Sequence, residues 1–304
     1  MNKPDKKLTL GPVMFNWSPD KWRDFYFRIA DEAPVQSVCV GEVVCSKRQP
    51  FFDPVIGDVI ERLQSAGKEV VLSTLALIMS PRESNMIRDL STDSDFLIEA
   101  NDISAVSLLA GQDHVIGPFI NVYNEGTRDY LISRGARRIC LPFELPADSI
   151  SAIARGCDER TELEVQVFGR LPLAISARCY HARSYELSKD SCQFVCAEDP
   201  DGMAVDTLDG TPFLNVNGTQ TLSRSCRVLA AELKDIEGMG VNRFRLSPMD
   251  TDMIAIANGF RRVLDGADEP ESLEHDLHDL LPAISFSNGF FHGVEGNVFR
   301  ERGE

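Results

Sequence analysis

The sequence predicts an α/β fold of the (β/α)₈ barrel type, with one long insertion after the seventh strand. Apolar, β-rich runs alternate with helical patterns eight times along the 304 residues. Parallel strands joined by crossover helices produce such an alternation, and eight units over about 300 residues are typical of a closed barrel. A doubly wound open sheet is the alternative, because periodicity alone does not show whether the sheet closes.

The predicted strands share short length and enrichment in apolar and β-branched residues. They cover residues 8–17, 37–42, 69–75, 95–100, 114–119, 137–143, 163–169 and 241–247. Helical patterns fill the gaps, most clearly over residues 20–32, 53–67, 81–90 and 148–156. Gly67, Gly111 and Gly135 each follow a helical pattern just before the next strand, where a left-handed C-cap favours glycine.

The spacing of these runs predicts a single barrel domain over residues 1–304, with an insertion over residues 170–240. About seventy residues separate the seventh run from the eighth, far more than between earlier runs. The insertion also contains a β-like segment, 212–222, and a helical pattern, 223–238; strand eight and a tail follow. Insertions after barrel strands emerge at the C-terminal face, where active sites of this fold lie. The tail segment 265–281 is predicted to form a solvated loop and helix face.

The net charge of −16 disfavours a broad attraction to nucleic acid or to an anionic membrane. The first ten residues lack the apolar core of a signal peptide, and no run approaches the roughly 18 apolar residues of a membrane helix. We therefore expect a cytoplasmic protein without membrane insertion. Thiols stay reduced there, so the eight cysteines are expected to be metal ligands, redox groups or buried small side chains.

Three of these cysteines lie close together inside the predicted insertion. Cys179, Cys192 and Cys196 fall within eighteen residues. Thiolate is the form that binds metal, and neighbouring cations favour it over the thiol. The flanking basic residues are Arg178, His181, Arg183 and Lys189. The stretch therefore predicts a metal site, with His181 a neighbour of the ligands rather than one of them.

An iron–sulfur cluster commonly takes four cysteine thiolates, so a fourth has to come from elsewhere in the chain. Cys39, near the carboxyl end of the second predicted strand, is the first candidate, and Cys45, six residues further on, is its competitor. Four thiolates also make a structural zinc site, and the spacing does not distinguish the two metals. Three scattered buried thiols are the non-metal alternative. No role is assigned to Cys140, predicted in the core, or to Cys157 and Cys226, predicted at a helix end and in a helix.

Motifs of other enzyme classes are missing from the sequence, which has no H-E-x-x-H, no G-x-S-x-G, no P-loop and no G-x-G-x-x-G opening a helix. Four carboxylates stand at predicted strand ends, where a barrel keeps its catalytic groups. They are Glu42, Glu99, Asp102 and Glu144. Each is more simply explained as a helix cap or a solvated loop residue, so the catalytic residues are unknown at this point.

Several segments resemble a known family. They are G-P-V-M-F-N-W near the start, S-V-C-V-G-E-V-V-C-S-K-R, L-A-I-S-A-R-C-Y-H-A-R with its downstream C-x₃-C, and the closing N-G-F-F-H-G. Together they are similar to the collagenase-like, unassigned-peptidase family 32 of barrel proteins, and within it to members that act in ubiquinone biosynthesis. The resemblance spans essentially the whole chain.

The resemblance implies a [4Fe-4S] cluster on Cys39, Cys179, Cys192 and Cys196. It also implies a heterodimer with a UbiU-like paralogue that hydroxylates a quinone precursor without O₂. Prephenate is implied as the oxygen donor and a UbiT-like lipid-binding protein as an accessory partner. The family label keeps a peptidase open as an alternative, and RNA-modifying relatives keep a third possibility open, which the negative net charge disfavours.

Overall fold

The structure is a computed structural model that describes residues 6–93 and 95–301. Residues 1–5 and 302–304, at the two ends of the predicted domain, lie outside the described residues. Its strands, in chain order, are β1 (Lys7–Leu10), β2 (Ser37–Val40), β3 (Glu69–Ser73), β4 (Leu97–Ala100), β5 (His114–Ile116), β6 (Ala136–Cys140), β7 (Glu162–Ile175), β8 (Met203–Asp206), β9 (Pro212–Asn217), β10 (Gln220–Val228), β11 (Arg243–Leu246) and β12 (Phe286–Ser287). Strands β1 to β7 pair in parallel in that order, and β11 pairs in parallel with both β7 and β1. The pairing closes the ring, so the predicted (β/α)₈ barrel is confirmed.

Helices surround the barrel and follow the predicted alternation. They are α1 (Pro19–Glu32), α2 (Gln49–Ser65), α3 (Pro81–Asp93), α4 (Ile103–Leu108), α5 (Glu125–Ser133), α6 (Ala147–Ala154), α7 (Tyr180–Ser184), α8 (Leu233–Gly238), α9 (Met253–Asp265) and α10 (Pro270–Leu280). Side-chain oxygens cap several helix starts, as Ser18 does for α1 and Asn124 for α5. None of the helices within the described ranges has the length and apolar character needed to cross a membrane.

The interior of the barrel holds buried charges. Arg245 Nη1 donates to Glu99 Oε2 at 2.7 Å and to Glu164 Oε1 at 2.9 Å, and all three side chains are buried. At the N-terminal end, Arg243 Nε donates to Glu162 Oε2 at 2.7 Å. Buried charges are tolerated when they are paired and hydrogen-bonded. The Arg245–Glu99 pair joins β11 to β4 across the ring, whereas Glu164 and Glu162 lie on β7, the neighbour of β11.

The insertion is built on an extension of β7. Beyond the barrel, β7 pairs antiparallel with β10, which pairs antiparallel with β9, and β9 with β8. The predicted helix over residues 223–238 is wrong in its first half, because β10 continues to Val228 between β7 and β12. Cys226 is therefore a strand residue. Partners on both sides satisfy the backbone there, and this tertiary pairing overrides local propensity.

Two further predicted segments differ from the structure. The first strand ends at Leu10 rather than at residue 17, since Gly11 and Pro12 follow and proline cannot donate to a ladder. Residues 11–17 instead follow the carboxyl end of β1, where the Met14 carbonyl accepts from Arg48 and Asn217. The tail segment 265–281 contains α10, whose Leu273 and Leu277 are buried, so it is not only a solvated face.

Candidate metal centre

Four cysteines from two distant parts of the chain line one small cavity at the mouth of the barrel. Cys45 lies in the loop between β2 and α2, while Cys179, Cys192 and Cys196 lie between β7 and β8. The cavity measures about 20 Å³. Its other lining residues include three basic ones, which are Lys47, Arg48 and Lys189. The structure thus brings together the three cysteines of the insertion and adds Cys45 to them.

Cys39, the predicted fourth ligand, does not line this cavity. Its side chain points into the barrel, where the thiol lies 3.6 Å from Glu99 Oε2 and 3.8 Å from Arg245 Nη1. It packs there with Val71 and Val115. Burial raises the pKa of the Cys39 thiol well above its usual value, with Glu99 adding to the shift.

The reason why Cys39 and Cys45 differ in position is geometric. Side chains alternate along a strand, so a residue inside β2 faces either the barrel interior or the surrounding helices. The loop that follows the strand carries its residues over the mouth instead. Cys45 lies in that loop and Cys39 lies within the strand. The position of Cys45 beyond the strand, in C-S-K-R, was the signal that pointed to it.

Hydrogen bonds hold the Cys45 loop in place from both sides. Glu42 accepts from the backbone N–H of Val44 at 2.7 Å and of Cys45 at 2.9 Å. Thr219 Oγ1 donates to the carbonyl of Val44 at 3.0 Å, and Lys47 Nζ donates to the carbonyl of Lys189 at 2.7 Å. The loop is therefore fastened to the insertion as well as to its own strand.

Arg48 lies beneath the cavity as a buried cation. It is 1% exposed, and it donates from Nη1 to the carbonyl of Met14 at 2.8 Å and from Nη2 to Asn217 Oδ1 at 2.8 Å. Burial lowers the pKa of Arg48, but Glu42, Cys196 and Cys45 outweigh burial and raise that pKa. Its Nε has no hydrogen-bond partner among the described residues. The guanidinium thus supplies a fixed positive charge next to the thiols.

Two N–H donors point at sulfur atoms of the site. Asn16 Nδ2 lies 3.4 Å from Cys196 Sγ, and the backbone N–H of Ala182 lies 3.4 Å from Cys179 Sγ. Such donors stabilise thiolate sulfur and tune a bound metal. Burial raises the pKa of Cys179 and of Cys45. The raised pKa values favour the protonated form of these two thiols, and a bound cation would displace their protons.

The backbone between Cys192 and Cys196 is strained. Gln193 and Phe194 have φ angles of 50° and 55°, in the left-handed region that residues other than glycine rarely adopt. Such a conformation costs roughly 1–2 kcal/mol per residue. Phe194 is held by an edge-on contact with Phe51, with ring centroids 4.7 Å apart. The strained turn brings both cysteines to the same cavity.

The other predicted polar residues lie outside the cavity. His181 is buried, with Nε2 2.9 Å from Asp199 Oδ2, and it does not line the cavity. Asp102 caps α4 by accepting from the N–H of Ser104 at 2.8 Å, as expected of a capping residue. The other charged residues noted in the sequence lie at the surface or have structural partners. Arg178 and Arg183 are exposed, and Glu144 accepts a hydrogen bond from Tyr123.

The cavity offers four cysteines as metal-binding side chains. Within residues 6–93 and 95–301, no three or more His, Cys, Asp or Glu side chains are grouped so that they could hold a metal ion. A zinc ion needs four ligands at about 2.0–2.3 Å from one centre. The donor set of four cysteines fits a cluster in its chemistry.

The fold and the site together define a (β/α)₈ barrel protein with a cysteine-lined cavity at its C-terminal face. Residues 18–298 match the sequence profile of peptidase family U32. The chain therefore belongs to the U32 family.

Solved structures with similar folds include a U32 peptidase, Mk0906, with 14% identity and a TM-score of 0.45, covering 82% of this chain and 95% of that one. A tryptophan synthase complex from Pyrococcus furiosus has 12% identity and a TM-score of 0.40, covering 93% of this chain and 100% of that one. A dihydropteroate synthase from Xanthomonas albilineans has 10% identity and a TM-score of 0.43, covering 90% of this chain and 93% of that one.

Proposed function

We propose that this chain is an iron–sulfur subunit of the UbiV type, with a [4Fe-4S] cluster held by Cys45, Cys179, Cys192 and Cys196. The observation that carries the proposal is the meeting of these four thiols around one cavity, although Cys45 is far from the others in sequence. Membership of the U32 family and the motif resemblance support it further.

The residues around the thiols suit a negatively charged metal–thiolate group. Lys47, Arg48 and Lys189 line the cavity and offset negative charge in a chain that is otherwise strongly acidic. The donors from Asn16 and from the N–H of Ala182 are aimed at sulfur. When bound, a cluster with four protein ligands supplies electron transfer.

The activity we propose is oxygen-independent hydroxylation of a ubiquinone precursor. The subunit acts as a heterodimer with a UbiU-like paralogue, with prephenate as the oxygen donor and a UbiT-like protein as the lipid carrier. The protein acts in the cytoplasm. The support for this activity is the motif resemblance within the U32 family, together with the redox character of the proposed centre.

Anaerobic purification and measurement of iron and acid-labile sulfide test the metal centre. We expect about four iron atoms per chain in the wild type and a large loss in Cys45→Ala, Cys179→Ala, Cys192→Ala and Cys196→Ala. The matched controls are Cys39→Ala, in the barrel interior, and Cys157→Ala, outside the cavity, and both should keep the wild-type content. Full iron in Cys45→Ala together with loss in Cys39→Ala would overturn the ligand set proposed here.

A genetic experiment tests the hydroxylation. In a strain that lacks this gene and grows without O₂, the wild-type chain should restore ubiquinone, measured by chromatography of lipid extracts. Cys45→Ala should fail to restore it, whereas Cys39→Ala should succeed. Normal ubiquinone in the deletion strain without O₂ would reject this function and leave the metal centre to be judged by the iron analysis alone.

A further inference from the structure

A surface groove lies beside the cavity that the four cysteines line. Its volume is about 510 Å³, and its walls come from the segment after β1, from the first turn of α2 and from the insertion. Phe194 lines both the groove and the cysteine cavity. Ala197, which directly follows Cys196 in the sequence, lines the groove as well. The groove therefore reaches the flank of the proposed metal centre.

Asn16 lies between this groove and Cys196. It lines the groove, and its Nδ2 lies 3.4 Å from Cys196 Sγ. Although the neighbouring Ala197 is exposed, Cys196 is only 8% exposed. The amide of Asn16 thus covers the sulfur on the side that faces the groove.

Hydrogen bonds fix the backbone on both sides of Asn16. The carbonyl of Met14 accepts from Arg48 Nη1 at 2.8 Å and from Asn217 Nδ2 at 2.7 Å. The Trp17 indole N–H donates to the carbonyl of Pro200 at 2.7 Å. Asn16 itself is 5% exposed, so close-packed neighbours restrict the rotation of its side chain. The contact with Cys196 is therefore built into the segment that follows β1.

The amide nitrogen is the atom of Asn16 that suits a sulfur neighbour. A thiolate sulfur accepts hydrogen bonds, and the amide carries its two N–H donors on nitrogen, whereas its oxygen only accepts. Hydrogen bonds to the sulfurs and exposure to solvent both set the reduction potentials of iron–sulfur centres. An N–H donor offsets negative charge on sulfur, so it favours the reduced form, which carries one more negative charge. The position of Asn16 affects both quantities.

We propose that Asn16 closes the cysteine cavity towards the groove and raises the reduction potential of the proposed centre through its N–H contact with Cys196. Asn16 is thus a positioning residue that acts through a ligand sulfur. The effect on the potential rests on the proposed function, whereas the closure is a property of the polypeptide and is tested without metal. The groove is the route by which small reagents, O₂ among them, reach Cys196 once the Asn16 side chain is removed.

Alkylation of the metal-free protein tests the closure. Iodoacetamide is added to the full chain, and peptide mass spectrometry follows the modification of each cysteine with time. Cys196 should react slowly in the wild type. Asn16→Ala opens the groove onto the sulfur and should raise that rate at least about tenfold, because access governs thiol reactivity. Asn16→Leu retains the bulk of the side chain and should leave the rate close to that of the wild type.

Two controls separate local opening from loss of the fold. Cys140 is buried in the barrel, so its alkylation rate should be the same in the wild type and in Asn16→Ala. Asn258→Ala removes a half-buried amide on α9 that donates to the carbonyl of Ile254, and it should leave Cys196 slow to react. If Asn16→Ala also exposes Cys140, Asn16→Ser, which retains a polar group, takes its place.

Potentiometric titration of the iron-loaded protein tests the effect on the centre. Asn16→Leu lacks the N–H donor and should lower the reduction potential by roughly 59 mV, a tenfold change in the equilibrium constant for one electron. Asn16→Asp adds a negative charge beside the sulfur and should lower the potential further. Asn258→Leu should leave it unchanged. Asn16→Ala should also lose its visible absorbance in air faster than the wild type, because O₂ enters through the opened groove.

Two results would overturn the proposal. One is equal alkylation of Cys196 in the wild type and in a folded Asn16→Ala, and the other is an unchanged potential in iron-loaded Asn16→Leu. Neither result concerns the iron content of the wild type, so neither rejects the proposed function. If the wild type holds no iron after anaerobic purification, the proposed cluster is wrong and the effect on the potential is wrong with it. The alkylation rates then still decide whether Asn16 closes the cavity.

Discussion

Arg48 Nη2 donates to Asn217 Oδ1 at 2.8 Å, and this bond joins the start of α2 to the end of β9. The same guanidinium donates to the carbonyl of Met14, in the segment that follows β1. One side chain therefore links three separate segments around the thiols. Several predictions about the site depend on this link.

Arg48→Met should lower the iron content and make the reduction potential of the bound cluster more negative. A reduced cluster carries more negative charge, so removal of a nearby cation disfavours reduction. The change is on the order of 1.4 kcal/mol, or roughly 59 mV for one electron. Potentiometric titration and iron analysis measure both effects. Arg28→Met, a surface variant, is the control, and an unchanged potential with full iron would refute this role of Arg48.

Gly218→Ala should destabilise the protein and reduce its iron content. Gly218 has a φ of 64°, and a Cβ there would lie 2.6 Å from Arg48 Nη2. The matched control is Gly210→Ala, with a φ of 81° and no atom within 4 Å of the added Cβ. Both variants carry a backbone cost of roughly 1–2 kcal/mol, and Gly218→Ala alone displaces Arg48. Equal iron contents in the two variants would show that the contact is unimportant.

Glu162→Gln should destabilise the protein at pH 7 but not at low pH. Burial raises the pKa of Glu162, yet hydrogen bonding and charge from Arg243, with Arg138 adding, outweigh burial and lower that pKa to about 2. The ionised Glu162 carboxylate therefore stabilises the folded protein fully above pH 4.5, and this stabilisation is lost as the pH falls towards 2. We expect a loss of about 2 kcal/mol at pH 7, measured by urea unfolding.

The pH dependence of the stability loss in Glu162→Gln tests whether the ion pairs of Glu162 cause that loss. The stability difference between the wild type and Glu162→Gln should shrink steadily between pH 4.5 and pH 3. Glu159→Gln, at an exposed side chain nearby, should show only a small difference across the range. If the difference in the free energy of unfolding between the wild type and Glu162→Gln stays constant with pH, the ion pairs are not its cause.

The protein should not digest casein or collagen above the background rate. A cysteine nucleophile needs a lowered pKa, whereas burial raises the pKa of Cys45 and Cys179. Release of labelled peptides measures digestion, and Cys179→Ala is the comparison protein. Digestion by the wild type that disappears in Cys179→Ala would favour the peptidase alternative.

The barrel could be predicted from the sequence because its signal is local and repeated. Each strand is a short apolar run, and glycine residues such as Gly67 and Gly135, both with positive φ, end the helices that precede strands. The course of β10 could not be predicted in this way. Residues 223–228 become a strand because β7 and β12 supply partners from distant parts of the chain.

The candidate site could be predicted only in part for a related reason. The close spacing of Cys179, Cys192 and Cys196 is visible in the sequence, and the structure brings these three together. The choice between Cys39 and Cys45 depends on where β2 ends and which way its side chains point. The role of Arg48 could not be predicted from the motif that contains it, since that role depends on contacts with Met14 and Asn217.

The four thiols come from two distant parts of the chain, and this affects when the site can form during synthesis. A ribosome releases Cys45 early, but the other three follow only after seven strands of the ring have been made, and the ring itself closes when β11 reaches β1. In the proposed centre, iron delivery would therefore have to wait until the insertion with Cys179, Cys192 and Cys196 has been made. A nascent chain stalled before β7 would carry only Cys45 of the four proposed ligands, and that thiol would be open to oxidation.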